Sequence, residues 1–513
     1  MEIIYHFKIK LGDNKIKLLK YIKPLALPIF IFLITNGCNL TVKKPNVILI
    51  VCDQLNPRAM GWMGDSLVVT PNLDQFSNNA YCFTNAYCTS PLKDPALHSL
   101  YTGVYPSQHW VLKNGKKLKE DLTSILSMLN EHSYKTGNIG ESQLASFLKP
   151  GNSQAALDND FFDDYQGFSL YTSYLQSELG KRNLDYKEYE YLFQGKNGIQ
   201  EGDDLAYVNP LPEELTLWHW TTKKALKYLD MQKEGQSDNP FYLNVSYSSP
   251  QKSYTPVKKY ADMYLAKLEQ LKLPPNFSID ELQKWCEANQ DISESLSVED
   301  VKYLRAMYFA LVTQLDAALG ELFRGINERG LMENTIVVFT ANHGDNLGEH
   351  GRFYEGNMLE ASVGVPLIIQ FPEMNLTERR IIEENVSHVD LVTTLLKAAG
   401  IVPSNSMPGK DLRPLIEEKE DWTNHAVYAE FYKYHETPSQ LMMRKGDYKL
   451  TYSVETKDDM FDIRLYNLKQ DPWEQQDLSN SVDHAGLYID MSDALMNDYW
   501  KKIWITLPRE GLN

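Results

Sequence analysis

The chain has 513 residues, of which 43% are hydrophobic and 23% are charged, the usual composition of a globular protein. Aromatic residues make up 12% and low-complexity runs are absent, which excludes an intrinsically disordered chain. Acidic residues outnumber basic ones by 68 to 51, and the resulting charge of −17 argues against nucleic acid as a partner.

Residues 1–37 have the three parts of an export signal. Six lysines against two acidic residues precede an apolar run from Leu25 to Ile34, which is too short to span about 30 Å of hydrocarbon. The Gly37-Cys38 step resembles a bacterial lipoprotein cleavage site, at which Cys38 becomes the lipidated first residue. Simple secretion is the alternative. We expect an exported protein of a Gram-negative bacterium, in the periplasm or held in the outer membrane by a lipid anchor.

Apolar runs that end in polar residues predict a buried sheet. Residues 45–53 are a β-branched run ending in Asp53, and residues 335–340 repeat the pattern before Asn342 and His343. Further strands are predicted at 240–247 and 365–369, and an amphipathic helix at 301–329. This alternation predicts an α/β fold with a large, mainly parallel sheet sandwiched by helices. Sites in such sheets lie at the carboxyl ends of the strands.

The remaining segments differ in pattern. Residues 150–210 are acidic, aromatic and irregular, which indicates an insertion. From about residue 420, short alternating segments predict a small antiparallel sheet with a closing helix. The predicted organisation is a signal peptide at 1–37, an α/β domain at 43–420 and an α+β subdomain at 421–513. Beyond Cys38, the four remaining cysteines show no zinc-binding pattern, and Cys82 and Cys88 are close enough in sequence to pair.

Short motifs occur in a fixed order through the rest of the chain, at residues 45–54, 70–74, 100–106, 308–316, 348–351, 387–391 and 465–474. In this order they resemble the formylglycine-dependent type I sulfatases, sulfuric ester hydrolases of the alkaline-phosphatase superfamily. The resemblance implies a Cys or Ser in a Cys/Ser-x-Pro-x-Arg motif that is oxidised to formylglycine. It also implies a calcium ion held largely by carboxylates, and a ring of Lys, Arg and His around the sulfate.

The position of that nucleophile holds a lysine. The family's nucleophile lies ten residues before the glycine of Thr102-Gly103, which places Lys93 there. The local sequence Lys93-Asp94-Pro95-Ala96-Leu97 keeps the proline, but Leu97 replaces the arginine. A lysine cannot become formylglycine, and its protonated amine is not a nucleophile. No formylglycine is expected.

Four more positions that the resemblance assigns to sulfate binding are changed. Glu141 and Gln143 stand where the family has Lys and His, Gln251 where it has a second His, and Glu355 where it has a second Lys. The substitutions turn an anion-binding pocket into a neutral-to-acidic one, and like charges close to a sulfate are costly.

The resemblance places the metal ligands at Asp53, Gln54, Asn342 and His343, and Asn342 replaces a carboxylate. Calcium affinity follows the number of charged ligands, so at most weak calcium binding is predicted. We expect the side chains of Asp53 and Asn342 to lie within one metal-site radius. Lys93 should begin a helix near Pro95 and bring its nitrogen within about 4 Å of Asp53 or a glutamate carboxylate.

These observations predict a non-hydrolysing pseudo-sulfatase that binds a sulfated glycan or a partner protein. The alternative is an active sulfuric- or phosphoric-ester hydrolase with another nucleophile, for which Asp94, Ser90 and Ser99 are candidates. Asp94 also fits a helix-start residue, and Ser99 falls inside the following helix. A third interpretation is a scaffold without a small ligand.

Overall fold

A computed structural model describes residues 43–116, 118–119, 122–140, 164–189, 205–234, 239–289, 295–372, 376–432, 439–454 and 461–501. The predicted signal with Cys38, and the predicted site residues Glu141 and Gln143, lie outside these ranges. Residues 44–513 form one compact unit. Among the described helices, none combines the length and apolar character needed to cross a membrane.

The central element is an eight-stranded sheet with the order β3-β4-β1-β5-β6-β2-β7 and with β8 beside β2. Its strands are β1 Asn46–Cys52, β2 Tyr81–Tyr87, β3 Lys135–Gly140, β4 Phe241–Tyr247, β5 Thr335–Ala341, β6 Gly364–Gln370, β7 Arg380–Ile382 and β8 Val386–Ser387. All neighbours pair in parallel except β6, which is antiparallel to β5 and to β2. The predicted mainly parallel sheet is confirmed, and strands β4 and β5 are buried along their whole length.

Helices flank this sheet. They are α1 Pro71–Ser77, α2 Lys93–Thr102, α3 Pro106–His109, α4 Ile125–Glu131, α5 Asp164–Lys181, α6 Leu217–Glu234, α7 Lys258–Leu265, α8 Ile279–Ala288, α9 Val298–Glu328, α10 Glu360–Val363, α11 His388–Ala398, α12 Arg413–Ile416 and α13 Ala485–Asp493. The predicted amphipathic helix is α9. Its N-terminus is fixed by a capping box in which Ser297 and Asp300 exchange hydrogen bonds with each other's backbone amides.

The C-terminal part contains the predicted small antiparallel sheet. Its order is β12-β11-β10-β9, formed by β9 Ala426–Phe431, β10 Gln440–Lys445, β11 Tyr448–Val454 and β12 Phe461–Asn467. Helix α13 and the π-helical turn Ala494–Trp500 close it, as predicted. Leu441 and Leu450 from the sheet and Met491 from α13 belong to a hydrophobic cluster distinct from that of the large sheet.

The structure corrects the prediction for residues 150–210 and decides the state of Cys82 and Cys88. The interpretation of 150–210 as irregular is wrong in part, because helix α5 runs through it and buries Tyr171, Leu175 and Leu179. These residues are four apart, a helical spacing that acidic and aromatic neighbours obscure. Cys82 and Cys88 are both buried and free, so the disulfide that their spacing left open does not form.

A buried ionic network ties the small sheet to the large one. The Lys449 Nζ on β11 lies 3.0 Å from Glu360 Oε2 and 2.8 Å from Glu474 Oε1, and the Lys449 side chain is fully buried. Tyr87 at the end of β2 donates to Glu360 Oε1 and accepts from Arg444 Nε. Burial raises the pKa of Glu360, but Lys449 and Arg444 outweigh it and hold that pKa below its usual value.

Candidate active site

Strands β1 and β5 bring the first two predicted site residues together. The strands are parallel neighbours with Cys52 opposite Ala341, so Asp53 and Asn342 leave the sheet at the same edge. The backbone amide of Asn342 donates to the Cys52 carbonyl, which continues the pairing by one residue. As a result, Asn342 Nδ2 donates to Asp53 Oδ1 at 2.8 Å, and the expected proximity of these side chains is confirmed.

Lys93 is the first residue of α2 and points at the same carboxylate. Its Nζ lies 3.0 Å from Asp53 Oδ2, as expected, and the two side chains are 18% and 7% exposed. The helix begins at Lys93, two residues before Pro95, and the extended Leu92 is its N-cap. Pro95 is tolerated because it lies in the first turn, where a backbone N–H has no intrahelical partner. The positive helix terminus disfavours an ammonium there, so a nearby carboxylate is needed to hold it.

The carboxyl group of Asp53 is buried and ionised. Burial acts to raise its pKa, but Lys93, His343 and the Asn342 amide together lower that pKa below the usual aspartate value. The stabilisation from these contacts is therefore present at neutral pH and is lost only as the pH falls through the folded-state pKa of Asp53. Asp53 and Lys93 therefore form a matched and largely enclosed ion pair.

The orientation of the Asn342 amide is fixed by the backbone. Its Oδ1 accepts from the backbone N–H groups of Gln54 and His343, at 3.0 and 2.7 Å. Backbone amides can only donate, so the oxygen must face them and the NH₂ group must face Asp53. Asn342 therefore presents a donor where the family's carboxylate would present an oxygen ligand.

Gln54 and His343 have partners of their own. Gln54, with a φ of 64°, sends Nε2 to Asp345 Oδ2 at 2.7 Å. His343 Nδ1 lies 3.0 Å from the Gly344 carbonyl oxygen, and its Nε2 lies 3.8 Å from Asp53 Oδ1. Of the predicted metal set, Asn342 is thus in hydrogen-bond contact with Asp53, His343 is near it, and Gln54 is turned toward Asp345.

The sequence interpretation did not assign Asp345 a role in the site. Its carboxylate is fully buried and accepts from Gln54, from the Tyr254 hydroxyl and from the backbone amides of Leu347 and Tyr354. Burial raises its pKa to about 6, despite the hydrogen bonds. The sequence could have indicated this role, because Asp345 follows the buried strand β5 in the same loop as Asn342 and His343.

The predicted sulfate-binding positions are also altered in space. Leu97 is 1% exposed and belongs to the main hydrophobic cluster, so the arginine position has become core. Gln251 and Glu355 are half-buried. Glu355 is close enough to Asp345 to contribute to raising the pKa of that carboxyl. The described positions therefore supply no cation for sulfate apart from Lys93, which is paired with Asp53.

As arranged, the described residues do not fit a calcium ion. Calcium takes six to eight oxygen ligands, and both oxygens of Asp53 already face nitrogen donors, from Asn342 and from Lys93. The amide of Asn342 is turned nitrogen-first, and Gln54 donates elsewhere. Within the described ranges, no group of three or more His, Cys, Asp or Glu side chains is arranged to hold a metal.

The alternative nucleophiles are enclosed. Ser90 and Ser99 are fully buried, and Asp94 is 6% exposed and accepts from the Gly115 backbone amide. His109 lies 3.1 Å from Ser99 Oγ, but its Nδ1 accepts from the Val111 amide, so Nε2 carries the proton and donates to the serine. Neutral His109 therefore cannot take the Ser99 proton as a general base would.

Comparison with known proteins agrees with this architecture. A family model described as sulfatase matches residues 45–401, and one described as N-sulphoglucosamine sulphohydrolase, C-terminal, matches residues 348–500. The uncharacterized sulfatase YidJ of Escherichia coli (strain K12) is 27% identical over 476 residues, which cover 90% of this chain and 88% of that protein.

Two solved structures show the same fold. The phosphonate monoester hydrolase of Agrobacterium radiobacter has a TM-score of 0.71 and 20% identity, covering 88% of this chain and 95% of that chain. A protein solved with its substrate, D-glucosamine-2-N,6-O-disulfate, has a TM-score of 0.67 and 19% identity, covering 91% of this chain and 100% of that chain. The sulfatase family model spans most of the sequence, and the chain therefore belongs to the sulfatase family.

Proposed function

We propose that this member of the sulfatase family does not hydrolyse sulfate esters and acts by binding. One observation carries the proposal: the first residue of α2, where the resemblance expects the nucleophile, is Lys93, and its ammonium is paired with Asp53 at 3.0 Å. A protonated amine in an ion pair has no free electron pair with which to attack sulfur. The loss of the arginine position to Leu97 removes a cation that would neutralise the transferred group.

The first prediction concerns activity. The purified protein should hydrolyse aryl sulfates no faster than buffer, with or without calcium, because Lys93 is held in an ion pair at the nucleophile position and Leu97 stands at the arginine position. The assay should include an active arylsulfatase as positive control. It should also include the Lys93→Ala and Asp53→Ala variants, which separate genuine turnover from contamination.

Turnover that is present in the wild type, survives Lys93→Ala and disappears in Asp53→Ala would contradict the proposal. It would support the second candidate, a sulfuric- or phosphoric-ester hydrolase with another nucleophile. The similarity in fold to a phosphonate monoester hydrolase makes aryl phosphonates and phosphates the appropriate further substrates.

We further propose that the ligand is a sulfated glycan, held at the rim of the site. The loop after α3 carries Lys113, Lys116 and Lys119, and the Lys119 ammonium lies 4.8 Å from the centroid of the Trp110 ring. Within the described ranges these three lysines form no ion pair, in a chain that is acidic overall. Aromatic and cationic groups together suit sugar rings that carry sulfate. A protein of similar fold was solved with a disulfated glucosamine.

The loop is held against the site by Asp94. The backbone amide of Asp94 donates to Asn114 Oδ1, and the backbone amide of Gly115 donates to Asp94 Oδ2. Because Asp94 follows Lys93 directly, these two contacts place Asn114 and Gly115 of the lysine-bearing loop beside the N-terminus of α2. We infer that the anionic ligand contacts this rim and does not require the buried pocket.

Binding to immobilised heparin tests the second prediction. The wild type should be retained and should elute with salt, because exposed charge interactions are screened. A variant with Lys113, Lys116 and Lys119 all changed to Gln should elute at lower salt. The matched control changes Lys223, Lys224 and Lys227 of α6 to Gln and should elute with the wild type. Failure of the wild type to bind, or equal loss in both triple variants, would contradict the assignment of the rim.

A further inference from the structure

We propose that Lys93 replaces the metal ion of the site, so that this chain keeps the active-site framework of its family without needing calcium. The inference does not depend on the absence of hydrolysis, since it concerns what neutralises Asp53. It rests on three features of the described residues: the position of the ammonium, the polarity of the Asn342 amide and the number of carboxylates.

The ammonium lies where a cation is required. Asp53 follows β1, which lies between β4 and β5, and its side chain is only 7% exposed; a buried carboxylate with few hydrogen-bond donors is stabilised by a positive partner. Lys93 supplies it at 3.0 Å, from the N-terminus of α2. An ammonium is a compact charge with three donors, so it can bridge oxygen acceptors much as a small cation does.

The second acceptor of a metal site has become a donor. Because the backbone amides of Gln54 and His343 hold Asn342 Oδ1, the Asn342 NH₂ group points at Asp53 Oδ1. An aspartate at this position would turn an oxygen toward Asp53, which is favourable only with a cation between the two carboxylates. The amide removes that need, and Asp53 is then satisfied by one amide donor and one ammonium.

The two substitutions are mutually consistent in charge. The Asp53 carboxylate and the Lys93 ammonium balance each other, whereas a divalent ion added to this pair would leave it with two uncompensated positive charges. Restoring a carboxylate at residue 342 while keeping Lys93 should still give little calcium binding, because the ammonium occupies the position and repels the ion. Removal of Lys93 together with Asn342→Asp should open the site to calcium.

Four full-length proteins test this inference by thermal unfolding with millimolar calcium or with chelator: the wild type, Lys93→Ala, Asn342→Asp and the double variant. We expect no shift in Tm for the wild type, little for Asn342→Asp, a small rise for Lys93→Ala and a rise of several degrees for the double variant. Magnesium at equal ionic strength serves as the control, because it demands a stricter geometry.

Calcium binding measured by equilibrium dialysis of the wild type gives a readout that needs no variant to fold. Stoichiometric calcium in the wild type, or a Tm that falls with chelator, would overturn the inference. A calcium response in Asn342→Asp as large as in the double variant would overturn it as well. Calcium binding would not by itself show that the protein hydrolyses sulfate esters. Failure of this inference is therefore distinguishable from failure of the proposed function, which the aryl sulfate assay tests.

Discussion

Replacing Lys449 with methionine is expected to lower the free energy of unfolding by about 4 kcal/mol, because it leaves the buried Glu474 carboxylate without its ammonium partner and removes the nearest cation from Glu360. Lys449 is fully buried, and its ammonium contacts both Glu360 and Glu474. Glu474 lies in the C-terminal part of the chain and also accepts from the backbone amide of Glu360, so the loss should loosen the attachment of the small sheet. Urea unfolding followed by fluorescence measures the effect.

The matched control for this prediction is Lys469→Met. That lysine is 75% exposed and lies 3.8 Å from Asp447, so its removal should change the free energy of unfolding by no more than about 0.5 kcal/mol. Adding Glu474→Gln to Lys449→Met should recover part of the loss, because it removes one of the unpaired charges. A neutral effect of Lys449→Met would contradict the assignment of this network as the tie between the sheets.

Between pH 7 and pH 4, the wild type is expected to lose more free energy of unfolding than the His388→Gln variant does. The difference between the two losses should be up to about 3 kcal/mol. Burial lowers the pKa of His388 to about 3, and the nearby Ala341 backbone offsets this only in part. The unfolded chain takes up a proton near pH 6.5, whereas the folded chain does not until about pH 3. The contribution of His388 to stability is therefore lost as the pH falls below about 6.5.

The comparison between variants is essential because other groups act in the opposite direction. Burial raises the pKa values of Asp345 and Asp316 to about 6. Ionising these buried groups costs free energy as the pH rises, so they make the fold more stable on acidification. Urea unfolding of the wild type and His388→Gln across this pH range isolates the histidine. His132→Gln, at an exposed position, is the control and should keep the wild-type slope. Equal slopes in the wild type and His388→Gln would contradict the prediction.

The sequence by itself determined the fold class and the approximate position of the site. Buried β-branched runs ending in Asp53 and Asn342 predict parallel strands whose polar ends meet, because carboxyl ends of parallel strands share one edge. The spacing to Gly103 placed Lys93 at the start of a helix opposite Asp53. Apolar runs and motif spacings are properties of neighbouring residues, so a single sequence is enough to read them.

Only the tertiary structure decided how the polar groups are oriented. No spacing rule shows that backbone amides of Gln54 and His343 turn the Asn342 amide nitrogen toward Asp53, since these atoms come from two strands far apart in the chain. The same holds for the Lys449 network and for the pairing of Gln54 with Asp345. Hydrogen-bond direction and the burial of charge depend on which groups meet in space, and a linear sequence records only which residue types are available.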